Sequence, residues 1–422
     1  MRELTLRVVD DLGSVNAASW NALDHGPSPF TEYGFLRALE LSGSVGPESG
    51  WQPVYLLIEE PFESGESALH SAHTNESEKE KKEKEKEKER GRLVGAVAAY
   101  VKTHSYGEYI FDWSWARASQ QAGLPYYPKL VIAAPMTPAT GRRLLIHPDV
   151  QRAPVVAALC AGVRGAAQAT DCKSIHWLFC SADEQQELAT HGFAPRASFQ
   201  YHWKNHDYGC FDDFLGTLTS RKRKQLRRER ARAQATVDDL QFVGGHELTA
   251  AELHALDGFY RRTTVEHGGS EYLRPGFFQH LMQLQGQRVQ VARVRKDDQM
   301  IAGALFFQTP TALYGRYWGC STEIDLLHFE TTIYAGIERC IAADIPLFEA
   351  GAQGQHKLRR GFLPCPTYSA HWLAHEGFHQ AIVGFLREET VALAAGMLEL
   401  ESASPYRAEV LAGFHGHAPT SK

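Results

Sequence analysis

Chemistry-bearing residues gather in three stretches of the chain. Glu108 and Asp112 lie within an aromatic run, Tyr106-Gly107-Glu108-Tyr109-Ile110-Phe111-Asp112-Trp113. A carboxylate among aromatic side chains must be partnered, or its neutral form is favoured and its pKa rises. Both acids are therefore candidates for proton transfer. The simpler alternative is a carboxylate bonded to backbone or paired with Lys102 or Arg316. His328-Phe329-Glu330 opens a second stretch, where the two polar side chains either face a cleft or cap a helix; an acid near a helix start is favourable without any catalysis. His356 and Lys357 follow a third, Glu349-Ala350-Gly351-Ala352-Gln353-Gly354-Gln355, where small residues alternate with polar ones.

The elements that position these groups follow from periodicity. Leu313 to Cys320 reads as an aromatic strand. Residues 326–343 carry Leu327, Ile333, Ile337 and Ile341 at helical spacing. Pro346-Leu347-Phe348 restarts an extended run, which ends at the Gly-rich block. In an open α/β sheet the carboxyl end of a strand is where ligands sit, and glycine there admits close approach. His356 and Lys357 are thus placed by position as much as by type.

Composition narrows the classes. The 422 residues are 43% hydrophobic and 22% charged, with a net charge of −6, the profile of a soluble chain long enough for two domains. That balance argues against a general nucleic-acid binder but says nothing about local patches. Seven cysteines, with no Cys-x-x-Cys pair, fit a reducing compartment. Twenty histidines include no His-Glu-x-x-His or similar spacing, so no metal site is expected. The start, MRELTLRVVDDLGS, lacks a basic-then-apolar signal pattern. No apolar run approaches the roughly 20 residues of a membrane span. A cytoplasmic protein is expected.

The chain repeats itself. Gly95 precedes Tyr106-Gly107 by eleven positions, and Gly303 precedes Tyr314-Gly315 by eleven. Gly192-Phe193 leads to His202-Trp203, and Gly361-Phe362 leads to His371-Trp372, again with eleven positions from glycine to tryptophan. The repeat implies two halves of one plan: a hairpin, an aromatic strand, a helix (150–170 and 326–343), a strand (174–180 and 346–350), a short helix ending at Gly-Phe, and a last strand carrying His-Trp. Domains over 1–205 and 206–412 follow, with 413–422 a frayed tail. Residues 76–90 hold seven acidic and seven basic side chains and no apolar one. An insert over 64–91 is therefore expected to be disordered. It interrupts a hairpin between 51–58 and 93–101. Residues 221–232 carry eight Lys or Arg, Arg221, Arg223 and Lys224 among them, against the single acid Glu229. Ser220 is placed as the N-cap of that helix. A solvated helix face is one reading; contact with a phosphate-rich partner is the other.

This order of elements resembles the GNAT acyltransferase fold, and its doubling resembles the FemAB-type tandem-GNAT proteins. The sequence is similar to the FemAB-like N-acyltransferases, once a domain of unknown function and associated with peptidoglycan biosynthesis or recognition. The matching blocks are HSYGEYIFDWSWA (104–116), YYPKLVIAAPMTPATGRRLL (126–145), FQYHWKN (199–205), SRKRKQLRRE (220–229), YGRYWG (314–319), LHFE (327–330) and GAQGQHKLRRGF (351–362). In the family the last block continues Glu-His-Lys after its second glycine; here Gln355 takes the Glu position. The resemblance implies an α/β chain of two GNAT-like domains, each a mixed twisted sheet flanked by helices. It implies direct attack of an amine on a thioester or ester carbonyl, with no metal and no covalent nucleophile. Acyl-CoA, or aminoacyl-tRNA, would be a co-substrate rather than a tightly bound cofactor, with tRNA or a nucleotide-linked precursor as possible partners. Glu330, His356, Glu108 and Asp112 are the expected catalytic groups. Tyr106, Lys129, Arg316, Gln353, Lys357 and the basic run are expected to bind substrate. Gly141, Arg142 and Arg143, in TPATGRR before the first long helix, are expected to cradle phosphates. A degenerate, non-catalytic binder of a glycan precursor or nucleotide ligand is the alternative.

Overall fold

Ser174–Cys180 is buried along its whole length, as a strand inside a sheet covered on two sides must be. It lies within one mixed sheet. In this computed structural model, residues 3–61, 91–266, 269, 271–352 and 354–416 are described. Apart from Gly91, the expected insert lies outside them, as does Gln353. The strands are β1 (Thr5–Val9), β2 (Gln52–Glu60), β3 (Arg92–Lys102), β4 (Lys129–Ile132), β5 (Leu145–Ile146), β6 (Ser174–Cys180), β7 (Ala194–Lys204), β8 (Asp239–Gly244), β9 (Val289–Lys296), β10 (Gln299–Gln308), β11 (Ala312–Cys320), β12 (Leu347–Glu349) and β13 (Leu363–Leu373). Their order is β1-β2-β3-β4-β6-β13-β7-β12-β11-β10-β9-β8, with β5 beside β3. Only β4–β6 and β11–β12 are parallel, and each pair is joined through a long helix.

The halves interlock by their last strands. β13 enters between β6 and β7, while β7 pairs on its other edge with β12. Trp203 of β7 consequently packs in the second half with Phe214 and Phe348. Trp372 of β13 packs in the first half, where the Arg164 guanidinium lies 5.0 Å above its ring. Both strands leave a left-handed glycine, Gly192 and Gly361, the conformation that ends a helix cheaply. A cut at 205/206 would therefore strand each half's final strand in the other's sheet.

One face of the sheet shares a core across both halves. It joins Phe30 and Phe35 to Phe277, Phe307 and Tyr314. The helices Tyr33–Leu41 and Phe277–Gln285 cross so closely that a Cβ on Gly34 would lie 2.7 Å from the Leu284 carbonyl oxygen. On the other face, helix Arg152–Ala169 covers the first half, and a broken helix over 327–342 covers the second.

Several sequence expectations are corrected. Residues 104–112 are not an aromatic strand. Left-handed Gly107 and Tyr109 turn the chain there, and a helix, Trp113–Gln121, follows. The Tyr-Gly matches at 106 and 314 are therefore not equivalent, whereas Gly95 and Gly303 both fall on third strands, β3 and β10. The N-cap of the basic helix Ser220–Gln234 is Thr219, with Ser220 its first residue. Residues 413–416 end a helix, Ala408–Gly416. No described helix is long and apolar enough to cross a membrane.

Candidate active site

β11 and β12 stay together for only three residue pairs, Ala312–Leu347 to Tyr314–Glu349. Then they part. β12 stops before Gly351, whose φ of 84° turns the chain away, while β11 continues to Cys320 against β10 alone. The β10–β11 register slips between Leu305 and Phe306, which face Tyr317 and Gly315. Arg316 is thus the extra residue of a β-bulge, a device that re-aims a side chain beside a site. Beyond Tyr314 the edge of β11 on the β12 side carries no ladder partner among the described residues.

Two cavities occupy the gap. The larger, about 930 Å³, is walled by Tyr109, Met136 and Pro138 of the first half and by Tyr260, Thr263 and Thr264 of helix Ala250–Glu266. The smaller, about 200 Å³, runs inward to His356 and Lys357. They share Arg316, Tyr317, Trp318, His328, Gly351 and Ala352. Arg316 also ties the halves together, donating from Nη2 to the Met136 carbonyl at 2.5 Å. The helix behind the gap has a π-turn at Glu330–Tyr334. There Thr331 and Thr332 donate to the Leu327 and His328 carbonyls. Such turns recur at functional sites.

His356 and Lys357 both line the inner cavity. Burial, reinforced by the charges of Lys357 and Arg360, pushes the His356 imidazole down to about 4, so it is neutral at physiological pH. Lys357 is buried and donates to the Gly351 carbonyl at 2.6 Å. Burial and the Arg316 charge bring its amine down to about 7. His328 lines both cavities.

The other expected residues lie elsewhere. Glu330 lines neither cavity. Its buried carboxylate accepts from Arg230 Nη2 at 2.9 Å and Gln234 Nε2 at 2.8 Å, which fastens the π-turn to the basic helix. Glu108 and Asp112 sit behind the Tyr109 wall in a buried ion cluster. Lys129 Nζ donates to Ser105 at 2.7 Å and Glu108 at 2.8 Å, and also to Asp112. Burial raises Glu108 to about 7 against the pull of Lys129. Burial also opposes ionisation of Asp112, but Lys129 and His176 outweigh it and hold this acid at about 2. Lys102 lies 3.6 Å over the Trp51 ring and is lowered by burial to about 7. Lys129 has every proton engaged inside the protein and offers none to a substrate. Tyr106 is exposed outside the cleft, edge-on to Trp113 at 5.3 Å.

The expected phosphate cradle is closed by the protein itself. Arg142 pairs with Asp183 and Asp24. Arg143 is buried and donates to the Leu178 and Ala139 carbonyls at 2.8 Å each. A Cβ on Gly141 would meet Ser28 at 2.6 Å. The basic helix keeps more of its charge available: Arg227 pairs with Asp212, Arg230 with Glu330 and Arg232 with Asp325. Arg221, Arg223, Lys224 and Arg228 have no ion-pair partner among the described residues.

Sequence reading missed Glu349. It ends β12 opposite His202 and is buried, with one long contact from the Thr140 N–H at 3.4 Å. Burial raises it to about 8, opposed by that N–H and by Arg143 and Arg316. An acid closing the apolar run Leu347-Phe348 was the available signal. Also missed were three tyrosines of the larger cleft, Tyr260, Tyr272 and Tyr317, which come from three separate segments.

Two interlocked halves of one α/β plan, with a cleft where parallel strands part beside a bulge, define a tandem GNAT-like protein. The chain belongs to the FemAB-like family, described as peptidoglycan biosynthesis/recognition, whose sequence model matches residues 11–408. No curated protein sequence matches it. Among solved structures it is similar to FemX, at 10% identity and a TM-score of 0.49 over 89% of this chain and 100% of that one. A tandem GNAT protein of the clavulanic acid biosynthesis pathway matches at 11% identity and a TM-score of 0.40, over 88% and 99%. The C-terminal domain of a putative lysylphosphatidylglycerol synthetase from Agrobacterium fabrum matches at 13% identity and a TM-score of 0.45, over 61% and 82%.

Proposed function

We propose that this chain is an N-acyltransferase, moving an acyl or aminoacyl group from a thioester or ester carrier to an amine within the cleft. The observation that carries the reading is the parting of β11 and β12 beside the Arg316 bulge. It leaves backbone donors of one strand edge facing a cavity walled by both halves, the arrangement an acyl carbonyl needs. Those donors would stabilise the oxyanion as the amine adds. The attacking nitrogen becomes cationic and acidic when its bond to carbon forms, and unprotonated His356 takes its proton. The carbon–sulfur or carbon–oxygen bond then breaks, and the leaving group recovers a proton from His356 or water. Family membership supports transfer in a peptidoglycan context.

A phosphate-rich carrier fits the outer surface. Lys222, whose amine is lowered by burial, lies near Arg359, Arg360 and Arg221, and Arg360 Nη1 donates to the His356 carbonyl at 3.1 Å. Arg360 is itself buried and paired with Glu229 at 3.0 Å, so the charge open to a carrier is that of Arg221, Arg223, Lys224 and exposed Arg359. It suits a nucleotide-bearing carrier such as acyl-CoA or aminoacyl-tRNA, used in the cytoplasm.

The test incubates the full chain with acyl thioesters or aminoacyl-tRNAs and a panel of amines, and detects the new amide by mass spectrometry. Wild type should form it. His356→Ala should lose about 10²-fold or more, the usual contribution of a proton acceptor. Undiminished turnover in both His356→Ala and Arg316→Ala would remove the cleft from the reaction. Ligand-induced stabilisation without any product would leave a binder.

A further inference from the structure

The two cavities differ in charge. Among the residues lining the inner one, every ionisable group apart from a tyrosine is a cation or an imidazole: Arg316, Lys357, His328 and His356. Acids appear only in the larger cleft, as Glu266, Glu323 and Asp325. Two of these three are already paired, Glu266 with Arg262 and Asp325 with Arg232. The inner cations have no ion pair of this kind, and the acid that feels the Arg316 charge, Glu349, is pushed by burial toward its neutral form. Lys357 is 4% exposed and bonded to a carbonyl alone. Arg316 donates to one carbonyl, and its Nε is buried without any hydrogen-bond partner. Neither is ion-paired with a carboxylate among the described residues. The Arg316 charge acts on the Lys357 amine, so the two are close enough to repel. Like charges in a low-dielectric cavity are unfavourable unless an anion offsets them. Gly351 keeps the approach clear, since a Cβ there would lie 3.9 Å from Lys357 Nζ.

We infer that the inner cavity binds an acidic group of the substrate, a carboxylate or a phosphate, between the Arg316 guanidinium and Lys357 Nζ, and that the acceptor is an amine bearing that acid. A space of about 200 Å³ holds such a group but not a nucleotide. Naming this ligand the acceptor rests on the acyl-transfer reading; anion binding does not.

The test is residue-resolved carbamylation of the full chain by cyanate near neutral pH. The lowered Lys357 amine reacts as its neutral form, and a bound anion both covers it and favours its charged form. Acetate, glycine and inorganic phosphate are compared with chloride at equal ionic strength. Protection of Lys357 of about tenfold is expected when the anion stands at ten times its Kd. Protection by acetate or glycine identifies a carboxylate, and protection by phosphate alone identifies a phosphoryl group. Arg316→Met should abolish it. Equal labelling in all four salts overturns the site, as does protection that survives in Arg316→Met. If that variant does not fold, the wild-type comparison decides. Protection without transfer from any donor would keep the anion site and discard the acyltransferase; transfer without protection would do the reverse.

Discussion

Removing Arg230 should destabilise the protein far more than removing the charge of its partner. The Glu330 carboxylate is 1% exposed and accepts from Arg230 Nη2 at 2.9 Å, from Nε at 3.2 Å and from Gln234 at 2.8 Å. In Arg230→Ala it keeps a single amide donor. Breaking a buried pair from one side costs about 3–5 kcal/mol, because the remaining charge is left uncompensated. The second contact of Arg230, to half-exposed Glu338, adds no more than about 1 kcal/mol. Glu330→Gln keeps the shape and leaves Arg230 its bonds to Glu338, so the cost falls to about 1–2 kcal/mol, that of a weakened hydrogen bond. The double variant should recover about 2 kcal/mol relative to the sum of the singles, as coupled neighbours do. Urea unfolding followed by tryptophan fluorescence reads all three. An Arg230→Ala cost below about 1 kcal/mol would refute the structural role of the pair. So would a Glu330→Gln variant that unfolds like wild type yet has lost all turnover.

Further predictions use the same structure. Gly319→Ala would put a Cβ 2.4 Å from the Phe259 carbonyl oxygen; backbone cannot yield there, so a loss of about 1–3 kcal/mol in unfolding free energy is expected. Glu349 is raised from its ordinary 4.5 to about 8, so the folded state holds a proton the unfolded chain has released. Its contribution to stability is present below pH 4.5 and is lost as pH rises to about 8. Glu349→Gln should gain on wild type across that window in unfolding midpoints. Lys357 has the opposite sign: lowered from 10.5 to about 7, it costs stability as pH falls through that interval. Lys357→Met should flatten that part of the profile. For a polyanionic carrier, replacing Arg221, Arg223 and Lys224 by Ala should reduce the log–log salt slope of binding by about two to three; an unchanged slope places the carrier elsewhere.

Much of the frame was legible because it rests on local patterns. The strand at 174–180 and the helices at 150–170 and 326–343 were each legible as one element, within a residue or two at their ends. The paired Gly-Phe and His-Trp marks revealed the doubling. The exchange of β7 and β13 was not legible, since both sheets offer Trp203 and Trp372 an apolar neighbour and only the tertiary packing chooses between them. At the site, His356 and Lys357 could be placed from the strand end, whereas Arg316, inside an aromatic strand, came only with the resemblance. Glu108, Asp112 and Glu330 could not be separated from catalytic acids by type, because a buried acid held by Lys129 or Arg230 sits in the same kind of sequence as one facing a cleft. Arg142 and Arg143 misled for a related reason: their partners Asp183, Leu178 and Ala139 reach them only through the fold.

The central claim is that chemistry takes place where β11 and β12 part. Amide hydrogen exchange of the full chain, with and without an acyl donor and an amine, tests it most directly. Slowed exchange at residues 315–318 and 351–357, with β1 and β8 unchanged, is the predicted result. Protection confined to the loop at 137–143, with none on β11, would contradict it.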